Sequence, residues 1–159
     1  MSVFSRKMNT KILKLKTEKF FDIVDLTDDV AKFLNEIDAK NGLVNVFTRH
    51  TTVSIKINEK EDGFLEDLNQ ILFNNVAKKS RQYHHNDTHI RDPRTICPVA
   101  KGSDCLNGHS HVAQMFMGSA SETIPVLDGK MLLGTWQRIM MFEFDHDKER
   151  EVVLSFVSS

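Results

Sequence analysis

The sequence predicts a mainly antiparallel α+β domain with a β-sandwich-like core and two or three helices. Three observations carry this. Short stretches of alternating apolar and polar residues recur along the chain and read as roughly seven to nine strands. Short turns join them, whereas a doubly wound sheet needs a helix between successive strands. Two longer stretches carry apolar residues at helical spacing.

Residues 10–17 mix lysines with Ile12, Leu13 and Leu15 and predict an N-terminal strand near a sheet edge, where lysines stay hydrated. Residues 20–24 predict a second strand, paired with the first as a hairpin around residues 17–19. Thr27 reads as a helix N-cap with Asp28 and Asp29 in the first turn, where the helix dipole favours negative charge. Val30, Phe33, Leu34 and Ile37 form one helical face, and Gly42 offers a left-handed cap at its end.

Residues 43–47 and 50–58 predict strands. In the second, Val53, Ile55 and Ile57 alternate with Thr52, Ser54, Lys56 and Asn58, which puts His50 on the polar face. Residues 62–77 predict a helix with a wide apolar face of Phe64, Leu65, Leu68, Ile71, Leu72 and Val76. Residues 80–109 are polar, hold four of the seven histidines and lack periodicity, as expected of a long functional loop. A short helix is predicted over 111–117, ended by Gly118. The sequence TIPVLDGKMLLG predicts a hairpin with Asp128-Gly129 in a type I′ turn. Residues 135–144 predict a long strand with Trp136, Arg138, Met140, Phe142 and Phe144 on one side. Residues 151–157 predict a closing strand paired with it across the charged turn 145–150.

The 159 residues fit one domain spanning 1–159. A formal net charge of -1 argues against a nucleic-acid partner. No apolar run reaches the length of a membrane span, and the N-terminus lacks the apolar core of a secretory signal. Cys97 and Cys105 form neither a Cys-x-x-Cys pair nor a disulfide framework, so a cytoplasmic location is expected. No Walker loop or GxGxxG is present.

Histidine patterns supply the chemistry. His50-Thr51-Thr52 places an imidazole beside hydroxyls, which suits metal ligation, phosphate binding or proton transfer. Tyr83-His84-His85-Asn86-Asp87 joins imidazoles to a carboxylate; neighbouring residues of an extended chain point apart, so at most one of the two histidines faces a given site. His109-Ser110-His111 on an extended segment would put both rings on one face. His89 and His146 read as solvent-facing, and the two cysteines as ordinary buried or half-buried thiols.

The stretch SASETIPVLDGKMLLGTWQRI, the preceding NGHSHV and the upstream RHTTVSIKINE resemble the YjbQ-like family, over residues 10–157. Gly134-Thr135-Trp136-Gln137 after the Asp-Gly hairpin is the most specific part. The resemblance implies an α+β fold, a homotrimer, and a histidine-containing polar pocket near a subunit interface that takes a metal or an anion. His50, His85 and His111 match the family's histidines, and Asn58, Glu59, Trp136 and Gln137 its other motif positions. His84 matches none, and His109 matches some members. The stretch between Asn86 and Asn107, with RDPRTICPVAKGSDC, departs from the family pattern.

The family carries the label of a secondary thiamine-phosphate synthase, which joins a pyrimidine pyrophosphate to a thiazole phosphate and expels pyrophosphate. At 159 residues the chain falls well short of the roughly 250 of a (β/α)8 barrel, so that reaction would run on another scaffold. The expectation is an enzyme acting on a small phosphorylated metabolite. His50, Glu59 and Arg138 are its candidate catalytic residues. Thr51, Thr52, Asn58, Asn86, Trp136 and Gln137 are candidates for substrate contact, and His50, His85 and His111 for a divalent metal, zinc or magnesium. Lys56 is a further candidate for the pyrophosphate. The alternatives are a non-enzymatic trimer that binds metal or phosphate, and a purely structural trimer.

Overall fold

A computed structural model describes residues 8–96 and 106–159. The first strand, β1 (Met8–Lys16), pairs antiparallel with the last, β8 (Glu149–Ser158). β8 pairs in turn with β3 (Gly42–Thr48), β3 with β5 (Ser121–Leu127), and β5 with the short β6 (Lys130–Met131). These five strands make one sheet. The second sheet has β7 (Gln137–Glu143) at its centre, flanked by β2 (Asp22–Asp25) and β4 (Val53–Glu59). Among the described residues there are three α-helices: α1 (Thr27–Glu36), α2 (Asp62–Ile71) and α3 (Gly108–Met117). The predicted α+β fold with a sandwich core is what the chain adopts.

Alternation along β7 explains the layering. Ile139 and Met141 point into a core shared with Val44 and Val46 of β3, Val152 and Leu154 of β8, and Val30, Phe33 and Leu34 of α1. Met140, Phe142 and Phe144 point the other way, into a second core with Phe21, Leu72 and Ala113. The three-stranded sheet is therefore apolar on both faces, with the larger sheet on one side and the α2–α3 layer on the other.

Two predicted pairings are corrected by this arrangement. β1 and β2 form no hairpin, and β7 and β8 do not pair. In each case the two strands lie in different sheets and the connection crosses from one sheet to the other. Thr17 holds both crossings together: its hydroxyl accepts from Lys148 N–H at 2.9 Å, and its own N–H donates to the Lys148 carbonyl at 3.0 Å. A turn-length gap between two apolar strands suggests a hairpin, but in a sandwich it equally serves as a corner.

Local capping also differs. Thr27 does not cap α1. Its hydroxyl donates to Asp25 at 2.7 Å and accepts from Ile139 N–H at 2.9 Å, so it docks the helix start onto β7. Asp38, at φ 50°, turns the chain after α1 in place of Gly42. Gly42 instead opens β3, where an added Cβ would lie 2.2 Å from the Val157 carbonyl oxygen. Glu61 caps α2 by accepting from Gly63 and Phe64 N–H, both at 2.7 Å. The predicted helix 62–77 is α2 continued by one wide turn, Leu72–Val76. Asp128 and Gly129 both have positive φ, as the predicted type I′ turn requires. No helix among the described residues is long and apolar enough to cross a membrane.

Candidate functional site

Both connections that carry the chain between β3 and β4, and between β7 and β8, lie at one end of the sandwich. The first holds His50, Thr51 and Thr52, and the second Asp145 and Lys148. They are joined where Phe144 N–H donates to the Thr52 carbonyl at 3.0 Å. α3 is stitched to the same corner, because the buried Ser110 hydroxyl donates to the Phe144 carbonyl at 2.7 Å. A short turn over His84–Asn86 packs against the start of α3. There Asn86 Oδ1 accepts from Gly108 N–H at 2.9 Å. Gly108 is needed at this contact, since a Cβ would stand 2.6 Å from that of Tyr83.

These pieces enclose a cleft of about 300 Å³. Its walls are His50, Thr51, Thr52, His85, His111 and Asn107, together with the charged groups of Arg91, Asp145, Lys148 and Arg150 and the side chain of Thr95. Of the predicted site residues, His50, Thr51, Thr52, His85 and His111 therefore meet. Asn86 caps α3 from behind the wall. His84 and His89 are exposed. His146 is half-buried, where a solvent-facing ring was expected.

His109 departs from the extended reading of His-x-His. The segment is helical, and two residues of helix are a rotation of about 200°. His111 thus faces the cleft and lies 4.4 Å from the His85 ring, centroid to centroid, while His109 packs against Phe20 at 5.8 Å. Cys97 and Cys105 lie outside the described residues.

Glu59, Asn58, Trp136, Gln137 and Arg138 gather elsewhere. In register, Asn58 faces Arg138 and Glu59 faces Gln137. That is six strand positions from Val53, or about 20 Å along β4. Arg138 binds Asp25 at 2.9 Å and Asp28 at 3.2 Å. Gln137 Oε1 accepts from Gly134 N–H at 2.8 Å, and Trp136 is 71% exposed. Lys56 is also outside the cleft, 3.7 Å from Glu122.

Charge decides what the cleft can hold. Its lining has three cations, Arg91, Lys148 and Arg150, against one carboxylate, Asp145. Behind the wall the buried Glu143 pairs with Arg150, and Arg150 Nη2 also donates to the Thr52 hydroxyl at 3.3 Å. Burial would raise the Asp145 pKa, but bonds from Lys148 (2.7 Å) and Asn107 (2.9 Å) outweigh it and hold the carboxyl below its ordinary range. All three imidazoles are pushed below their ordinary value: His50 by burial and then Arg150, His85 by burial and then Arg91, His111 by burial and then the His85 ring. At neutral pH they are uncharged rings amid fixed cations.

That donor set does not fit zinc on His50, His85 and His111. Glu151 N–H donates to His50 Nε2 at 3.0 Å, so the neutral ring carries its proton on Nδ1 and has no lone pair left for a metal. Arg91 Nη1 stands 3.4 Å from His85 Nε2. Among the described residues no three His, Cys, Asp or Glu side chains are grouped to hold a metal ion. Hydroxyls, guanidiniums and an N–H imidazole suit an anion instead.

Sequence reasoning did not single out Arg91, Thr95, Asp145, Lys148 or Arg150, whereas Asn107 stood in the NGHSHV stretch. One signal was available. Glu143 and Asp145 alternate with Phe142 and Phe144 at the end of an apolar strand, and acidic residues there need buried partners.

The model for "UPF0047 protein YjbQ-like" matches residues 11–159. A UPF0047 protein of Archaeoglobus fulgidus is 35% identical over 146 residues, covering 89% of this chain and 96% of its own. UPF0047 protein Rv2556c of Mycobacterium tuberculosis is 36% identical over 151 residues, covering 94% and 98%. Among solved structures, a YbjQ-like protein of unknown function from Sulfolobus solfataricus superposes with a TM-score of 0.80 at 29% identity, over 97% of this chain and 99% of that one. Hypothetical protein APE1520 of Aeropyrum pernix gives 0.78 at 30% identity, over 95% and 99%. Fold, near-full coverage and identities above 30% agree: the chain belongs to the YjbQ-like UPF0047 family.

Proposed function

We propose that the cleft binds the phosphate or pyrophosphate group of a small metabolite and that the chain is an enzyme acting on it. The carrying observation is the lining of three cations and neutral imidazoles around one carboxylate. Guanidiniums match phosphate oxygens in pairs, lysine adds a point charge, and hydroxyls of Thr51 and Thr52 add short polar contacts. His50 offers an Nδ1–H donor to an anionic oxygen. A volume of about 300 Å³ is at the small end of ligand pockets and suits a metabolite rather than a polymer.

Thiamine-phosphate synthesis is one reaction these groups would favour. The thiazole nitrogen's lone pair forms a C–N bond to the pyrimidine's methylene carbon. The C–O bond to pyrophosphate breaks and takes its electron pair to the leaving group. New negative charge thus develops on pyrophosphate, where Arg91, Lys148 and Arg150 would lower its energy. A divalent cation, magnesium first, belongs to this reading as the companion of the pyrophosphate and not as an ion on three histidines.

The homotrimer is part of the proposal. α3 presents Met115 and Phe116 at 76% and 70% exposure, adjacent apolar side chains that a subunit interface would cover. Light scattering after size exclusion should give three times the chain mass.

Turnover of the pyrimidine pyrophosphate and thiazole phosphate pair, with growth rescue of a strain lacking thiamine-phosphate synthase, tests the activity. Wild type should turn over and rescue, and His50→Ala should do neither. Saturable pyrophosphate binding without turnover would identify a binding protein instead.

A further inference from the structure

The hydrogen-bond chain along the cleft wall fixes more than charge. Asp145 Oδ2 accepts from Asn107 Nδ2 at 2.9 Å and from Lys148 Nζ at 2.7 Å. On its other side Asn107 Oδ1 lies 3.2 Å from His85 Nε2. Asp145 is ionised, so it only accepts, and the Asn107 amide must turn its NH₂ toward it. Its oxygen is then committed to His85. An acceptor at that distance requires a proton on the facing nitrogen.

We infer that Asn107 is a positioning residue that holds His85 in its Nε2–H form and leaves the Nδ1 lone pair as a proton acceptor. The competing arrangement puts the proton on Nδ1 and lets Nε2 accept from Arg91. That contact is 3.4 Å, at the edge of hydrogen-bond range, and Arg91 Nη1 already donates to the His85 carbonyl at 3.1 Å. It would also require Asn107 either to face Nε2 lone pair to lone pair or to flip and turn its oxygen on the Asp145 carboxylate. A flip gives up a charge-assisted bond, the stronger kind. The Asp145–Asn107–His85 order therefore wins.

His50 is the counterpart. Its Nε2 accepts from Glu151 N–H, so its proton is on Nδ1. The two imidazoles are held in opposite tautomers, one a donor and one an acceptor. That pairing suits a ligand presenting both an anionic oxygen and a hydroxyl, a bound water or a protonated phosphate. This use rests on the anion reading of the cleft, whereas the tautomers themselves do not.

The experiment is ¹⁵N NMR of the histidine side chains of ligand-free protein at neutral pH, in the full chain, with assignment by single substitution. Wild type should show His85 with a pyrrole-like Nε2 and a pyridine-like Nδ1, and His50 with the reverse. Asn107→Ala should abolish the single-tautomer pattern of His85 and leave that of His50 intact. Asp145→Asn, which frees the Asn107 amide to flip, should give His85 a tautomer mixture, and it decides the matter if Asn107→Ala fails to fold. A wild-type His85 protonated on Nδ1, or a His85 spectrum that neither variant changes, overturns the inference. Pyrophosphate titration of the same samples reads the anion site separately, so a correct tautomer with no binding would fault the anion reading alone.

Discussion

The two ends of β4 hold two polar clusters of similar composition and opposite character. At the Asn58–Glu59 end the charges are satisfied locally: Arg138 is held by Asp25 and Asp28, and Lys60 stands 3.8 Å from Asp25. Burial would raise the Asp25 pKa, but the bonds from Arg138 and Thr27 outweigh it and lower it. At the His50 end, Lys148 pairs with Asp145 and Arg150 with Glu143 behind the wall, while Arg91 is held by the His85 and Thr95 carbonyls, so three cations beside the open volume meet two carboxylates. Both ends carry motif residues, yet only one presents an excess of cations to a cavity. A polar cluster is a ligand site when its charges are left incompletely answered by the protein itself.

Substitutions can break or sharpen this contrast. The largest effect is expected at the buried Glu143–Arg150 pair, 0% and 8% exposed at the side chains. Glu143→Ala leaves Arg150 buried without a counter-charge and should cost about 3–5 kcal/mol in denaturant unfolding. At the other end Arg138→Ala removes a guanidinium whose side chain is 38% exposed, so solvent screens its pair with Asp25. Its expected cost is about 1 kcal/mol or less. Equal costs would mean that the two ends do not differ as described.

Next is affinity. Lys148→Ala and Arg91→Ala should each weaken pyrophosphate binding by about tenfold or more, equivalent to roughly 1.4 kcal/mol. Arg138→Ala should leave it unchanged. Calorimetry on the three variants reads this directly.

The smallest effect is on pH dependence. Folded His50, His85 and His111 have values below the ordinary 6.5. Between the folded and unfolded values the unfolded chain binds more protons, so stability rises with pH there. It should be full above about pH 6.5 and lost as pH falls below it. His111→Asn should flatten urea-midpoint dependence between pH 7 and 5. An unchanged slope would remove His111 from the set.

Much of the fold was legible in the sequence because its periodicities are local. The alternation of residues 139–144 placed Met140, Phe142 and Phe144 on one face, and the Asp128-Gly129 turn needed only two residues to declare itself. Sheet membership was not legible. Whether residues 17–21 and 144–148 turn a hairpin or a sandwich corner depends on packing between strands far apart in sequence. The same distance hid half the site. His50, His85 and His111 stand out as residue types, but Arg91 sat in a loop with other charges, and Lys148 and Arg150 in what read as a solvated turn. His-x-His was misread because two-residue spacing puts rings together on a strand and apart on the helix that α3 forms.

The central claim is that the His50 end of the sandwich is an anion site and needs no resident metal. Calorimetric titration of pyrophosphate into chelator-treated wild type, Lys148→Ala and Arg138→Ala tests it most directly. The account predicts saturable binding with one site per chain, weakened about tenfold or more by Lys148→Ala and unaltered by Arg138→Ala. Absence of binding by the chelated wild type, or equal binding by wild type and Lys148→Ala, would contradict it.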